Sequence, residues 1–280
     1  MSTISIELSK DEIQTLKKLT KDLSEVMPPA YANYAVRERG LNIVVYNSNK
    51  VVFQGANAVQ YANLFKKEIV LPQAGSDETG NGSYFGPICV CACYIDQKSY
   101  KAIKHLNLTD SKAVNDDYIM EVAQFLRDNV VHSLLVLDNN KYNEIQKSMN
   151  QNKIKAILHN QAFINLEKKV KQLPKLTVID QFTPKTTYYN YLTNEKEVFR
   201  DLVFETKAES KYISVAVGSI IARYAFLTAL AQMSKHYDFN FLSGAGKQVD
   251  ASAQKFVNKY GKSELAQVAK VHFVNTKKIK

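Results

Sequence analysis

The hydrophobic pattern changes character at Pro72, and that change constrains the fold more than any other feature of the chain. Ahead of it, residues 4–8 alternate as a short strand. Ser9 and Glu12 have the spacing of a capping box, and a helix is predicted to about Val26, with Ile13, Leu16, Leu19 and Leu23 on one side. Pro28 and Pro29 stop it. Residues 31–36, 41–46 and 50–54 read as strands, joined by a Gly40 turn and an Asn47-Ser48-Asn49 turn, and a second helix follows over about 56–67. Residues 1–70 therefore predict a small α+β domain built on one antiparallel sheet.

Residues 71–280 follow a different rule. Strands are predicted at 75–78, 87–95, 131–137 and 176–180, with another over 199–207. Helices are predicted at 116–127, 154–171 and 214–235, the last rich in Ala and Ile, and from about 251 onward the chain is helical and then basic. Strands mixed with covering helices predict an α/β domain of about two hundred residues.

Of the 280 residues, 45% are hydrophobic and 23% charged, the profile of a globular protein with a sizeable core. The net charge of +10 suits a polyanionic partner such as nucleic acid, although a solvated basic surface satisfies it equally. Cys89, Cys91 and Cys93 alternate with small apolar residues, so a strand turns all three to one face, too parallel for a disulfide and without the paired spacing of a zinc site. They read as buried structural thiols in a reducing cytosol. The first eight residues lack an apolar signal core, and no run reaches the ~18 apolar residues of a membrane helix. A cytoplasmic protein with no membrane partner, working as a monomer, is expected.

The chemistry concentrates in residues 75–87, Gly-Ser-Asp-Glu-Thr-Gly-Asn-Gly-Ser-Tyr-Phe-Gly-Pro. Two adjacent carboxylates, Asp77 and Glu78, stand at a strand end ahead of glycines. Carboxylates so placed make hard oxygen ligands for Mg²⁺ or Mn²⁺, and the glycines let backbone approach a ligand. Taken alone, the segment reads as a polar turn. Asp180 closes an apolar strand, where a charge is costly unless paired or bound to metal. Glu209 precedes an apolar helix, where the helix dipole also favours an acid. His105, His132, His159, His236 and His272 show no ligand spacing and read as structural or surface residues.

Together with Tyr84-Phe85-Gly86-Pro87, Asp110-Ser111-Lys112, Val178-Ile179-Asp180, Lys207-Ala208-Glu209-Ser210 and Ser219 to Arg223, this segment resembles the type 2 ribonucleases H over nearly all of residues 75–230. Glu as the fourth acid and the Tyr84-Phe85 continuation resemble the ribonuclease HIII branch. The first seventy residues, including Tyr31, Tyr34 and the stretch 51–55, are similar to the TATA-binding-protein-like domain of that branch. The resemblance implies an RNase H-like catalytic domain, with a mixed sheet flanked by helices. It implies that Asp77, Glu78, Asp180 and Glu209 are both catalytic and the ligands of two Mg²⁺ or Mn²⁺ ions. The implied reaction is hydrolysis of the RNA strand of an RNA/DNA hybrid, leaving 5′-phosphate and 3′-hydroxyl ends. By the same resemblance, backbone at Gly80, Asn81 and Gly82 contacts the ribose 2′-hydroxyl, the one local mark of RNA. Asn81 stands where ribonucleases HII usually carry Arg, which favours long RNA tracts over single ribonucleotides.

Other residues remain open between two roles. Ser111 and Lys112 read as phosphate contacts or a helix cap, and Lys207 as a phosphate contact or a support. Arg223 reads as a phosphate ligand or half of an ion pair. Tyr188, Tyr189 and Tyr191 line a nucleic-acid groove or pack the core. Tyr31 and Tyr34, with Arg37 and Lys50, present a sheet face to the hybrid or lie half buried. Two competing functions stand beside the main one: incision at a single ribonucleotide, and nucleic-acid binding without catalysis. Four acids beside phosphates count against the latter, since they repel the ligand.

Overall fold

The computed structural model describes residues 2–65, 69–106, 108 and 115–280, and the chain divides into two compact units, Met1–Ile69 and Val70–Lys280. The N-terminal unit runs β1 (Thr3–Glu7), α1 (Lys10–Leu19), β2 (Ser24–Glu25), β3 (Ala32–Glu38), β4 (Leu41–Tyr46), β5 (Lys50–Gln54) and α2 (Ala58–Asn63). Its strands pair in the order β1-β5-β4-β3-β2, antiparallel throughout. Side chains alternate along each strand, so Tyr34, Val36, Ile43, Val45, Val51 and Phe53 share one face. They pack there with Ile13 and Leu16 of α1 and Ala58 and Ala62 of α2.

The capping box at the start of α1 forms as expected: the Ser9 hydroxyl accepts from the Glu12 amide and the Glu12 carboxylate accepts from the Ser9 amide. The end of the helix differs. It stops at Leu19 rather than near Val26, because Thr20 turns its hydroxyl back to the Leu16 carbonyl and to the Tyr34 hydroxyl. The chain then bends so that Ser24 and Glu25 pair with Arg37 and Val36. Tertiary pairing there outweighs helical spacing.

The second unit runs β6 (Gln73–Thr79), β7 (Ile88–Ile95), α3 (Gln97–Ile103), α4 (Asp116–Asn129), β8 (Val131–Leu137), α5 (Asn139–Gln146), α6 (Gln151–Val170), β9 (Thr177–Asp180), α7 (Lys185–Tyr191) and β10 (Val203–Glu205). A 3₁₀ turn at Ala208–Ser210 then leads into α8 (Ile213–His236), α9 (Lys247–Tyr260), α10 (Leu265–Val268) and α11 (Val274–Lys277). The sheet order is β10-β9-β6-β7-β8; β6, β9 and β10 run parallel, and β7 pairs antiparallel with both β6 and β8.

Both faces of this sheet are covered, which explains why β7 is apolar without a break. Cys89, Cys91 and Cys93 face one layer with α4, α8 and α9, while Ile88, Val90 and Ala92 face the other with α6. The three cysteines are free and fully buried on one face. Helix α8 forms where expected, with one residue more at each end, and it has the length and composition of a membrane span. Its apolar residues Val215, Ala216, Val217, Ile220 and Ile221 are buried in the domain, where the helix lies across β6 and β7. Gly218 permits the close approach, since a Cβ there would stand 2.8 Å from the Cys91 carbonyl oxygen.

Three short helices, α3, α5 and α7, go beyond the sequence expectation. The first two carry a readable signal. Asp96 and Asp138 cap them, each accepting a backbone N–H three residues on at 2.8 Å.

Candidate active site

The parallel register of β6 and β9 sets Ser76 opposite Ile179, so one residue further along Asp77 and Asp180 emerge side by side at the carboxyl ends of the two strands. Ligands of open α/β sheets bind at such ends. After β10 the chain turns through Ala208–Ser210, which carries Glu209 to the same end, and the Ala208 amide donates to Asp180 Oδ1 at 2.9 Å. Residues 132 positions apart in sequence, Asp77 and Glu209, thus converge because two parallel strands and one turn end together.

The electrostatics record the convergence. Asp77 is buried, and its acid is pushed up to about 8, first by burial and then by the charges of Glu78 and Asp180, against a hydrogen bond from Ser219. Asp180 is also raised, by burial first, with Glu209 and Glu78 adding to it. Glu78 goes the other way, lowered to about 2: hydrogen bonds and charges from His159 and Lys155 overcome its burial. Lys155 Nζ donates to Glu78 Oε1 and His159 Nε2 to Oε2, each at 2.9 Å. Among the described residues no three His, Cys, Asp or Glu side chains form a finished metal-ligand cluster. With its carboxylate drawn onto α6, Glu78 is turned to Lys155 and His159.

The donor set fits a hard divalent cation all the same. Asp77, Asp180 and Glu209 offer carboxylate oxygens, and the repulsion that adds to burial in raising Asp77 is what a cation relieves. Asp77 has to release its proton to accept one. Mn²⁺ affinity is therefore expected to rise by up to about tenfold per pH unit below pH 8 and to level off above it. Calorimetric titrations at pH 6, 7 and 8 check this, and an affinity flat across that range excludes Asp77 as a ligand.

The glycine turn lies against this cluster. Gly80 has φ +94, and a Cβ there would fall on the Pro87 carbonyl oxygen and within 2.9 Å of the Phe226 ring, so only glycine fits. Asn81 is occupied within the turn: its amide donates to Glu78 Oε1 at 3.0 Å, its Oδ1 accepts from the Gly82 amide, and its carbonyl accepts from Gln151. Gly82 is exposed, with open space where a side chain would be. The following stretch is stitched to the C-terminal segment. The buried Lys270 ammonium donates to the carbonyls of Ser83 and Gly86, and Tyr84 exchanges backbone bonds with Gly244 and Lys270.

The remaining candidates separate. Ser111 and Lys112 lie outside the described residues. Lys207 is exposed, with φ +53, at the entry to the Glu209 turn. Arg223 is half of an ion pair with Asp116 at 2.5 Å, the structural alternative. Tyr188 is fully buried among the residues of the α6 layer, and Tyr189 bonds the Arg200 carbonyl, so core packing describes this cluster. In the N-terminal unit Tyr31 is exposed with φ +65, but Tyr34 is not on a presented face. It is buried against the helices with its hydroxyl on Thr20, because the register of β3 turns it toward the core.

Two functional candidates escaped the sequence reading: Lys155 and His159. Both are buried and four apart on one face of α6, and a Lys and a His among the apolar positions between Ile154 and Phe163 were their signal. Gln151, one turn earlier, completes the stripe.

The profile of the family described as Ribonuclease HII matches residues 74–276, and a domain of unknown function, DUF3378, matches 3–75. Ribonuclease HIII of Listeria monocytogenes serotype 4b (strain CLIP80459) is 38% identical, spanning 99% of this chain and 98% of its own. The chain belongs to the ribonuclease HIII family. Ribonuclease HIII of Bacillus mycoides (strain KBAB4) is 39% identical over 99% of this chain and 97% of its own. The crystal structure of Bst-RNase HIII in complex with Mn²⁺ superposes with a TM-score of 0.74 at 35% identity, covering 99% of this chain and 97% of that one. As a member of the family the chain is a ribonuclease H, a nucleic-acid hydrolase, and its mixed sheet with helices on both faces is the RNase H-like fold.

Proposed function

We propose that this ribonuclease H cuts the RNA strand of RNA/DNA hybrids, acting in the cytoplasm as a monomer, with residues 1–70 serving as a substrate-binding domain and 71–280 as the catalytic domain. Asp77, Glu78, Asp180 and Glu209 hold two Mg²⁺ or Mn²⁺ ions, and the products are a 5′-phosphate and a 3′-hydroxyl. The observation that carries this reading is the meeting of acids from three separate segments at the ends of β6 and β9, where burial first, and then the charges of Glu78 and Asp180, raise Asp77 to about 8, and Glu209 adds to the rise of Asp180.

Two divalent cations held there supply an activated water on one side of the phosphorus and charge relief for the leaving oxygen on the other. The protein's own groups do the rest. Asp77 and Asp180 are buried or half-buried on rigid strands, so their oxygens are held before substrate arrives. The turn at Gly80, Asn81 and Gly82 sets bare backbone beside the acids, where it contacts the ribose 2′-hydroxyl. Lys207, Ser111, Lys112 and Arg223 are the candidate phosphate contacts, and Tyr31 the exposed aromatic of the N-terminal unit. The net charge of +10 favours a polyanionic duplex.

The test is cleavage by purified protein of a labelled RNA/DNA hybrid, RNA/RNA, DNA/DNA and a DNA duplex with one ribonucleotide, with Mg²⁺, Mn²⁺ or EDTA. Cleavage of the long hybrid, stopped by EDTA, is expected. An inert hybrid in the presence of either metal overturns the reading, and preference for the single ribonucleotide reassigns the substrate.

A further inference from the structure

Among the described residues, the ion pairs made by the four acids all belong to Glu78, and both come from α6. Three residues on successive turns of that helix bond the acidic turn. Gln151 Nε2 donates to the Asn81 carbonyl at 2.7 Å, Lys155 to Glu78 Oε1, and His159 to Glu78 Oε2. On the far side of its ring, His159 Nδ1 meets the Ser76 hydroxyl at 2.8 Å. A carboxylate only accepts, so Nε2 carries the proton. The Phe182 ring, two residues beyond Asp180, backs both side chains. It stacks on His159 with centroids 5.4 Å apart and lies 3.9 Å from Lys155 Nζ.

The Lys155 and Glu78 side chains are 5% and 8% exposed. A buried pair is weak evidence for stability, since its desolvation offsets most of its attraction. Its placement says more. Period-two alternation sends Asp77 toward α8 and Ser76 and Glu78 toward α6, so adjacent acids leave the strand in opposite directions. The two ion pairs from α6, with the Asn81 amide beside them, hold Glu78 where it comes to rest.

Resting on the proposed metal-dependent cleavage, we propose that Lys155 is a positioning residue. With His159 it draws the Glu78 carboxylate to the α6 side of β6, setting the direction of that acid and the net charge the cleft presents to a cation. Lys155 opposes the cation's charge while keeping Glu78 from collapsing onto Asp77.

The test uses the full chain with Lys155→Met, which keeps an unbranched apolar stem on Phe182, and Lys155→Arg, which keeps the charge. Mn²⁺ binding is measured by calorimetry without substrate, kcat and KM on a long hybrid, and the melting temperature alongside. For Lys155→Met, kcat is expected to fall by about tenfold or more with KM within about twofold, the pattern of a group acting on the reacting centre. Mn²⁺ binding is expected to tighten by about threefold or more, because a positive charge leaves the cleft. Lys155→Arg recovers most of kcat. A purely structural lysine predicts the opposite pairing, with Mn²⁺ binding weakened in step with melting temperature. That result overturns the proposal, as does a kcat equal to wild type. If the Met variant does not fold, Lys155→Gln carries the same comparison. A wild-type protein that binds Mn²⁺ but leaves hybrids intact overturns the proposed function instead, and the binding comparison still decides the role of Lys155.

Discussion

Asp77→Asn is expected to abolish cleavage and, in EDTA at pH 8, to make the fold more stable than wild type. The sign follows from the direction of the shift. A carboxylic acid raised from 3.8 to about 8 by folding contributes stability that is fully present below its unfolded value and is lost as pH rises toward 8. Across that window the slope is about 1.4 kcal/mol per pH unit. Glu78 does not cancel it. Lowered to about 2, its contribution is present above its unfolded value of 4.5 and is lost only as pH falls toward 2. Asparagine keeps the shape and most of the hydrogen bonding of Asp77 and cannot ionise, so the variant escapes the loss. Urea titrations in EDTA at pH 5 and pH 8 measure this: the wild-type midpoint should fall with pH far more than the variant's. A variant that cleaves at the wild-type rate removes Asp77 from the site. Parallel pH profiles would remove the electrostatic account of why a cation is wanted there.

Gly80→Ala is the second large effect. The residue holds φ +94, where a Cβ is strained in any surroundings, and the surroundings make it worse. The added carbon falls on the backbone oxygen of Pro87, which has no rotamer to yield, and lies 2.9 Å from the Phe226 ring of α8. Such strain costs on the order of 1–3 kcal/mol, and the steric conflict adds to it. The turn can relieve it only by moving Asn81 and Gly82, and with them the Asn81 amide that supports Glu78. A lowered urea midpoint is therefore expected together with a kcat loss larger than the stability change explains at assay temperature. Gly82→Ala is the control, since a Cβ there meets nothing within 4 Å and its stability should stay within about 0.5 kcal/mol of wild type. An unchanged midpoint for Gly80→Ala would mean that the turn repacks freely.

The strands β4, β5 and β8 were legible because alternation and turn residues bound them closely, and α4 and α8 because their apolar positions recur at helical spacing. The false extension of α1 past Leu19 shows the limit of that signal. Leu23 continues the periodicity, yet it reaches the core from a turn, because pairing of Ser24 and Glu25 with β3 outweighs continued helix. Tyr34 shows the same limit on a strand: alternation marks two faces, and without the sheet's packing partner it does not say which is inside.

The four acids stand at strand and helix ends, but the resemblance to the type 2 ribonucleases H, and not local chain chemistry, joins them into one set; the glycine after Asp77 and Glu78 is the part that local chain chemistry demands. The tertiary fold decided how those acids differ. Parallel pairing of β6 with β9 sets Asp77 beside Asp180 in a layer whose packing buries it, and burial above all raises its acid, while the packing of α6 against the sheet supplies Lys155 and His159, 77 and 81 residues from Glu78, and lowers that neighbour's acid. Adjacent in sequence, the two carboxylates acquire opposite character because a strand sends them to opposite layers, and what waits in each layer is settled only when the helices pack.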